Sequence, residues 1–221
     1  MTFRNRIIQG NCAAVMQSFP DGCVDLAVTD PPYLVGYRDR SGRTIAGDNS
    51  PAKVLPCFPE LYRILKPNSL CVCFYGWNRI DLFMTAWKEA GFNPVGHIVW
   101  RKNYASRTGY VKACHEQAYL LAKGRPRPPR RPFRDVLPWE YSGNEFHPTE
   151  KAVSVLTPLI DSFSRPGDLV IDPFSGSGST SIAAALARRD YCGIELERRY
   201  CNHARRRLSG LKRDDVLPDQ T

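Results

Sequence analysis

Asp30-Pro31-Pro32-Tyr33 puts a carboxylate, two prolines and a phenol into four consecutive residues. The motif closes an apolar run, Val24-Asp25-Leu26-Ala27-Val28-Thr29, that reads as a buried strand. Both prolines fix φ and restrict the residue before them, so Asp30 and Pro31 are held out of the helical region and two carbonyls lack a neighbouring amide hydrogen. A carboxylate, open carbonyls and one aromatic face thus meet at a strand's carboxyl end. That is equipment for gripping a flat amine. The plainer reading is an ordinary strand-ending turn, since turns are rich in Asp and Pro.

A second candidate site covers residues 169–195. Leu169-Val170-Ile171 reads as a short buried strand ending at Asp172-Pro173, followed by Phe174-Ser175-Gly176-Ser177-Gly178, an alanine-rich helix, and a strand ending at Glu195. Glycines let backbone pass close to a ligand, and an acid at the next strand's end can bind two ribose hydroxyls. Glu195 falls 195 − 178 = 17 residues after the second glycine, near the roughly 20 of dinucleotide folds. Ser181 stands where a third fingerprint glycine would be, so a glycine turn without a ligand stays open. The pair says more than either part. Ligands in open α/β sheets bind outside the carboxyl ends of strands, so if the two Asp-Pro strands are neighbours, both sites share one crevice.

The chain resembles the beta class of DNA amino-methyltransferases, which use S-adenosyl-L-methionine to modify exocyclic amines. The resemblance rests on Asp30-Pro31-Pro32-Tyr33 as catalytic motif, His147-Pro148-Thr149-Glu150-Lys151 ahead of a helix, Asp172 to Gly178 as cofactor loop, and Glu195, in that order. It spans roughly residues 7–205. It implies cofactor contacts from Asn11, Cys12, Asp30, His147, Thr149, Lys151, Asp172, Phe174, Ser175, Gly176, Gly178 and Glu195, and no metal. Asn11 is a departure, because relatives usually carry Asp there; Asn still accepts a hydrogen bond but without charge. By this resemblance the target base leaves the duplex and stacks on Tyr33, while Asp30 and the Pro31 carbonyl take the two amine hydrogens. Asp in the first position points to the 6-amino group of adenine, with the 4-amino group of cytosine as the alternative.

In this class target recognition lies ahead of the His147 motif, which leaves residues 124–146. Five prolines between Gly124 and Pro138 argue against regular structure there and for a stiff, basic arm carrying Arg125, Arg127, Arg130 and Arg131. So short an arm predicts a short or relaxed recognition sequence. Help is expected from residues 34–53, read as a long mobile loop with Arg38, Arg40 and Arg43, and from the polar loop 102–113 with Lys102, Tyr104 and Arg107. Double-stranded DNA is the expected partner, and a homodimer is left open. Other classes compete. A nicotinamide oxidoreductase leaves residues 30–33 unexplained, a methyltransferase acting on RNA or on a protein glutamine could use a similar amine grip, though relatives of the latter usually have Asn in place of Asp30, and a catalytically silent DNA-binding protein is the non-enzyme reading. Pro56-Cys57 superficially matches the nucleophile of carbon-5 cytosine methyltransferases, but its surroundings fit a helix start.

Composition agrees with a polyanionic partner. Of 221 residues, 31 are basic and 22 acidic, a net charge of +9. Residues 101–146 hold ten basic and four acidic side chains, an excess of 10 − 4 = +6. The basic stretch at 198–213 reads instead as a solvated helix face. Eight cysteines without a C-x-x-C pair read as reduced core thiols. No apolar run nears the ~20 residues of a membrane span, and no signal-peptide region follows Met1, so a cytoplasmic location is expected.

The elements that must position these residues alternate. Strands are expected at 7–8, 24–29, 70–75, 95–100, 117–122, 169–171 and 191–194, with helices at 12–19, 54–66, 80–90, after Thr149 as cap, after Gly178 and at 197–208. This pattern predicts a single α/β domain: a doubly wound, mostly parallel seven-stranded sheet of Rossmann-like methyltransferase type with a short basic insertion. The expected partition is 1–123 catalytic, 124–146 recognition, 147–209 cofactor-binding and 210–221 tail.

Overall fold

The computed structural model describes residues 3–39, 42–143 and 150–211. Arg40, His147, Thr149 and most of the expected tail lie outside the described residues. In chain order the elements are β1 (Arg6–Gln9), α1 (Cys12–Met16), β2 (Val24–Thr29), α2 (Pro51–Val54), α3 (Cys57–Ile64), β3 (Leu65–Phe74), α4 (Ile80–Ala90), β4 (Asn93–Arg101) and β5 (Arg107–Thr108). There follow β6 (Lys112–Ala113), β7 (His115–Lys123), β8 (Val136–Pro138), α5 (Val153–Phe163), β9 (Leu169–Asp172), α6 (Ser179–Leu186), β10 (Asp190–Glu195) and α7 (Arg198–Ser209).

One eight-stranded sheet runs β1-β10-β9-β2-β3-β7-β4-β8, and β5 and β6 form a separate hairpin. Five neighbouring pairs are parallel; β7 alone runs antiparallel to its neighbours β3 and β4. The doubly wound expectation holds, with one strand more than the seven expected. The addition is β8, inside the stretch whose prolines argued against regular structure. It is the edge strand, paired with β4, and an edge tolerates the missing amide hydrogen of Pro138.

The sheet is apolar on both faces because it is covered on both. Met16 of α1, Phe58 and Leu61 of α3 and Phe83 and Trp87 of α4 pack on one face; Leu156 and Ile160 of α5 and Ala183 and Ala184 of α6 pack on the other. Leu26, Val28, Val72 and Val170 are therefore buried, as continuous apolar strands require. Six of the eight cysteines are buried and all eight are free thiols.

Three local expectations change. The helix expected at 54–66 is shorter: α3 starts only at Cys57, with Pro56 as its cap and Pro59 in its first turn, where a missing amide hydrogen is harmless, while Val54 closes α2 and Leu65 opens β3. Polar loop 102–113 folds back as the β5–β6 hairpin. Helix α5 begins at Val153 with Ala152 as its cap and no side-chain capping bond, which leaves Thr149 upstream of the helix. Among the described residues no helix is long and apolar enough to cross a membrane.

Candidate active site

Strands β2 and β9 are hydrogen-bonded neighbours, with Leu26 opposite Val170 and Ala27 opposite Ile171. Their carboxyl ends therefore lie side by side, and so do the two Asp-Pro corners. Thr29 ties them together, donating from Oγ1 to Asp172 Oδ1 at 3.0 Å. Above them opens a cleft of about 2220 Å³, lined by Asp30 to Tyr33 on one side and by Pro173, Phe174 and Glu195 on the other.

Asp30 stands at the centre of a charged chain. Its Oδ2 accepts from Lys151 Nζ at 2.5 Å and its Oδ1 from the Tyr33 hydroxyl at 2.9 Å. Burial pushes the Asp30 carboxyl above its ordinary range, and the charge and hydrogen bond of Lys151 pull it back. The same burial, with Asp30 and Glu116 nearby, raises Tyr33, so the phenol stays protonated. The chain continues outward: Glu116 Oε2 lies 3.5 Å from the Tyr33 hydroxyl, and its Oε1 accepts from Lys102 Nζ. Lys102 is buried beneath the rings of Tyr104 and Trp139, 5.7 and 5.4 Å from their centroids.

Asp172 is 4 % exposed. It accepts from Thr29, from the Phe174 N–H at 3.0 Å and from Thr180 Oγ1 at 2.7 Å, and burial pushes its carboxyl up to about 6. These bonds fold the glycine loop back onto β9. Two glycines seat that loop. Gly178 has φ +85°, and a Cβ there would come 2.7 Å from Ala204 Cβ on α7; a Cβ on Gly193 of β10 would come 2.4 Å from Ser175 Oγ. Glu195 ends β10 with Oε2 accepting from the Gly176 N–H at 2.9 Å and Oε1 from the Glu197 N–H at 2.7 Å. Each oxygen keeps acceptor capacity toward the cleft, and burial raises its carboxyl. Across β1, the Gly10 N–H bonds the Glu195 carbonyl and brings Asn11 and Cys12 to the cleft wall. Asn11 caps α1, accepting from the Ala14 N–H.

The cleft thus gathers Asn11, Cys12, residues 30–33, Arg38, Arg43, Lys102, Tyr104, Lys151, Phe174 and Glu195. Ser175 and Gly176 border a smaller cavity beside it with Asp172, while Gly178 acts from behind by letting α6 start against α7. Two placements differ from expectation. Lys102, expected on DNA, is ion-paired to Glu116 and buried. Arg125, Arg127, Arg130 and Arg131 are exposed but do not line the cleft. Because β7 is antiparallel, it delivers the arm to the opposite end of the sheet, where the Arg125 N–H bonds Asn68 Oδ1 at the start of β3. Arg107 lies on β5. Buried Asp48 ties down the start of the loop, its carboxylate accepting from the Leu34 and Tyr37 N–H groups, and Arg43 pairs with Asp39.

Glu116, Trp139, Asp48 and Gly193 escaped sequence reasoning. None sits in a local motif; Glu116 reaches the site because β7 pairs it with Trp100 of β4, an antiparallel register that no short pattern announces.

The sequence pattern of the DNA methylase family, which groups N6 and N4 methyltransferases, matches residues 24–206. The chain belongs to that family. A relative, the Escherichia coli (strain K12) protein YubD, a methylase by name, is 55% identical over 209 residues, 95% of this chain and 92% of YubD. Among solved structures, the M1.HpyAVI complex with S-adenosyl-L-methionine has a TM-score of 0.74 at 24% identity, covering 93% of this chain and 99% of that one. The cytosine-N4-specific PvuII DNA methyltransferase has a TM-score of 0.75 at 17% identity, covering 94% and 86%. At such identities the likeness is one of fold. This DNA methylase is therefore an amino-methyltransferase by family, with its two strand-end motifs on one cleft.

Proposed function

We propose that this DNA methylase transfers a methyl group from S-adenosyl-L-methionine to the exocyclic 6-amino group of adenine in double-stranded DNA. The observation that carries the reading is the convergence of Asp30 and Glu195 on one cleft. The donor set suits the methyl donor: Glu195 and Glu197 offer carboxylates to hydroxyls and to positive charge, and Asn11 and Cys12 stand beside them. Bound S-adenosyl-L-methionine supplies an electrophilic methyl group on a sulfonium.

The chain's own residues make the amine a nucleophile. Its lone pair is delocalised into the base, and acceptance of its two hydrogens by Asp30 and by the Pro31 carbonyl favours the pyramidal nitrogen. Positioning and electrostatics then supply the catalysis. Methyl transfer leaves an extra proton on nitrogen. Asp30, whose carboxyl burial has already raised, is suited to receive it. The Tyr33 ring offers a face for a base taken out of the stack. Loop 34–48 and the β5–β6 hairpin, which border the cleft, would carry recognition, and their small size supports a short or relaxed target sequence.

The 4-amino group of cytosine presents the same two hydrogens, so base identity is the point to test. Nucleosides from unmethylated DNA treated with the enzyme and S-adenosyl-L-methionine, separated by mass spectrometry, should contain N6-methyladenine. Only N4-methylcytosine would overturn the choice of base, and neither product would overturn the activity.

A further inference from the structure

The Tyr33 hydroxyl lies between two carboxylates but has one hydrogen to give. It now gives it to Asp30 Oδ1 at 2.9 Å, and Glu116 Oε2 waits at 3.5 Å. Asp30 Oδ2 is taken by Lys151. Each oxygen of Asp30 thus already holds one donor, so an arriving amine hydrogen would have to share an oxygen with it, and release of a donor strengthens the grip. Lys151 is ill placed to leave, because its side chain is 8 % exposed and its ammonium would be stranded without a counter-charge. The phenol has somewhere to go. A hydroxyl-to-carboxylate bond is normally about 2.7 Å long, so a shift of under about 1 Å brings it onto Glu116.

Glu116 is built to receive it. Lys102 holds its other oxygen, and the rings of Tyr104 and Trp139 lie over Lys102. The pair is anchored rather than swinging in solvent, and its free oxygen faces the phenol. We propose that Glu116 is a positioning residue: when the target amine enters, the Tyr33 hydroxyl passes from Asp30 to Glu116, and Asp30 Oδ1 is released to accept an amine hydrogen. No bond other than hydrogen bonds is made or broken, and the proton stays on the phenol. The inference rests on the amine-gripping role proposed for Asp30.

The alternative is that Glu116 only neutralises buried Lys102. Epistasis with Tyr33 separates the two. Steady-state methyl transfer to DNA should be measured for wild type, Glu116→Leu, Glu116→Gln and Tyr33→Phe, and for Glu116→Leu combined with Tyr33→Phe. Leucine cannot accept the hydroxyl, so Glu116→Leu should lower kcat about tenfold or more, whereas glutamine, which keeps an acceptor oxygen, should stay within about threefold. Tyr33→Phe removes the competing hydroxyl, and in that background Glu116→Leu should cost nothing further. Affinity for S-adenosyl-L-methionine, measured by calorimetry, should be unchanged throughout. Equal loss from Glu116→Leu in both backgrounds, or no loss in either, would overturn the handover. If Glu116→Leu fails to fold, Glu116→Leu with Lys102→Met removes both buried charges together, and the same rescue by Tyr33→Phe is expected. A wild-type enzyme inactive on DNA would overturn the functional reading itself, whereas an active wild type without rescue overturns the handover alone.

Discussion

Asp30 and Asp172 occupy equivalent places: each follows an apolar strand, each precedes a proline, and their strands are neighbours. Their surroundings differ. Asp30 has a side chain 19 % exposed into the cleft and is held by a cation and a phenol. Asp172 is 4 % exposed and is held by two hydroxyls and an amide, all uncharged, from the strand beside it, its own loop and the first turn of α6. Burial raises both carboxyls. The dipeptide therefore sets a corner at a strand end, and the partners decide what the corner does. A fixed cation and a movable phenol at the cleft surface suit Asp30 to binding. Short-range neutral donors make Asp172 a fastener for the glycine loop.

The largest expected effect comes from Asp30. Asp30→Asn keeps shape but turns an acceptor-only group into one that also donates, and turnover should fall on the order of 10³-fold. Next comes Lys151→Met, which removes the charge that lowers the Asp30 carboxyl. Asp30 should then ionise only at higher pH, so the acid limb of the kcat/KM profile should move to higher pH, with a loss of about 10- to 100-fold at neutral pH. An unmoved limb would mean that Asp30 does not control it.

Asp172 should show itself in stability instead. Its folded carboxyl titrates at about 6, above the ordinary 3.8. A carboxyl raised on folding stabilises the protein below its unfolded value, and that contribution is lost as pH rises through about 6. The loss is on the order of 2 kcal/mol between pH 4 and 7. Asp172→Asn should flatten this part of the urea-unfolding profile against pH. The smallest effect is expected at the far end of the sheet. Arg125→Ser with Arg127→Ser should weaken DNA binding less than about twofold, against about three- to tenfold for Arg38→Ser at the cleft. The reverse order, read by fluorescence anisotropy with a labelled duplex, would mean that DNA reaches round to the arm.

Much of the cleft was legible because its parts are local. A strand, a proline corner and a glycine loop each declare themselves within a few residues, and alternation of strand and helix limits how they can be arranged. Those rules bring residues 30–33, Phe174 and Glu195 together. Glu116, Trp139 and the burial of Lys102 were not legible, because they depend on the antiparallel register of β7 and on β8 closing the edge beside β4. The same reversal of β7 sends the Arg-Pro arm away from the cleft, although its charge pointed to DNA. Charge content is readable from composition, whereas the end of the sheet on which it lands depends on strand direction. Residue types therefore suggest chemistry more readily than they locate the polymer that receives it.

The division between the two aspartates is tested most directly by one paired measurement: the single-turnover rate of methyl transfer and the affinity for S-adenosyl-L-methionine, for Asp30→Asn and Asp172→Asn side by side. Asp30→Asn should bind the methyl donor within about threefold of wild type while its rate collapses by about 10³-fold. Asp172→Asn should weaken donor binding and keep most of the rate once saturated. A normal rate in Asp30→Asn, or a collapsed saturated rate in Asp172→Asn, would contradict the assignment of chemistry to the first corner and fastening to the second.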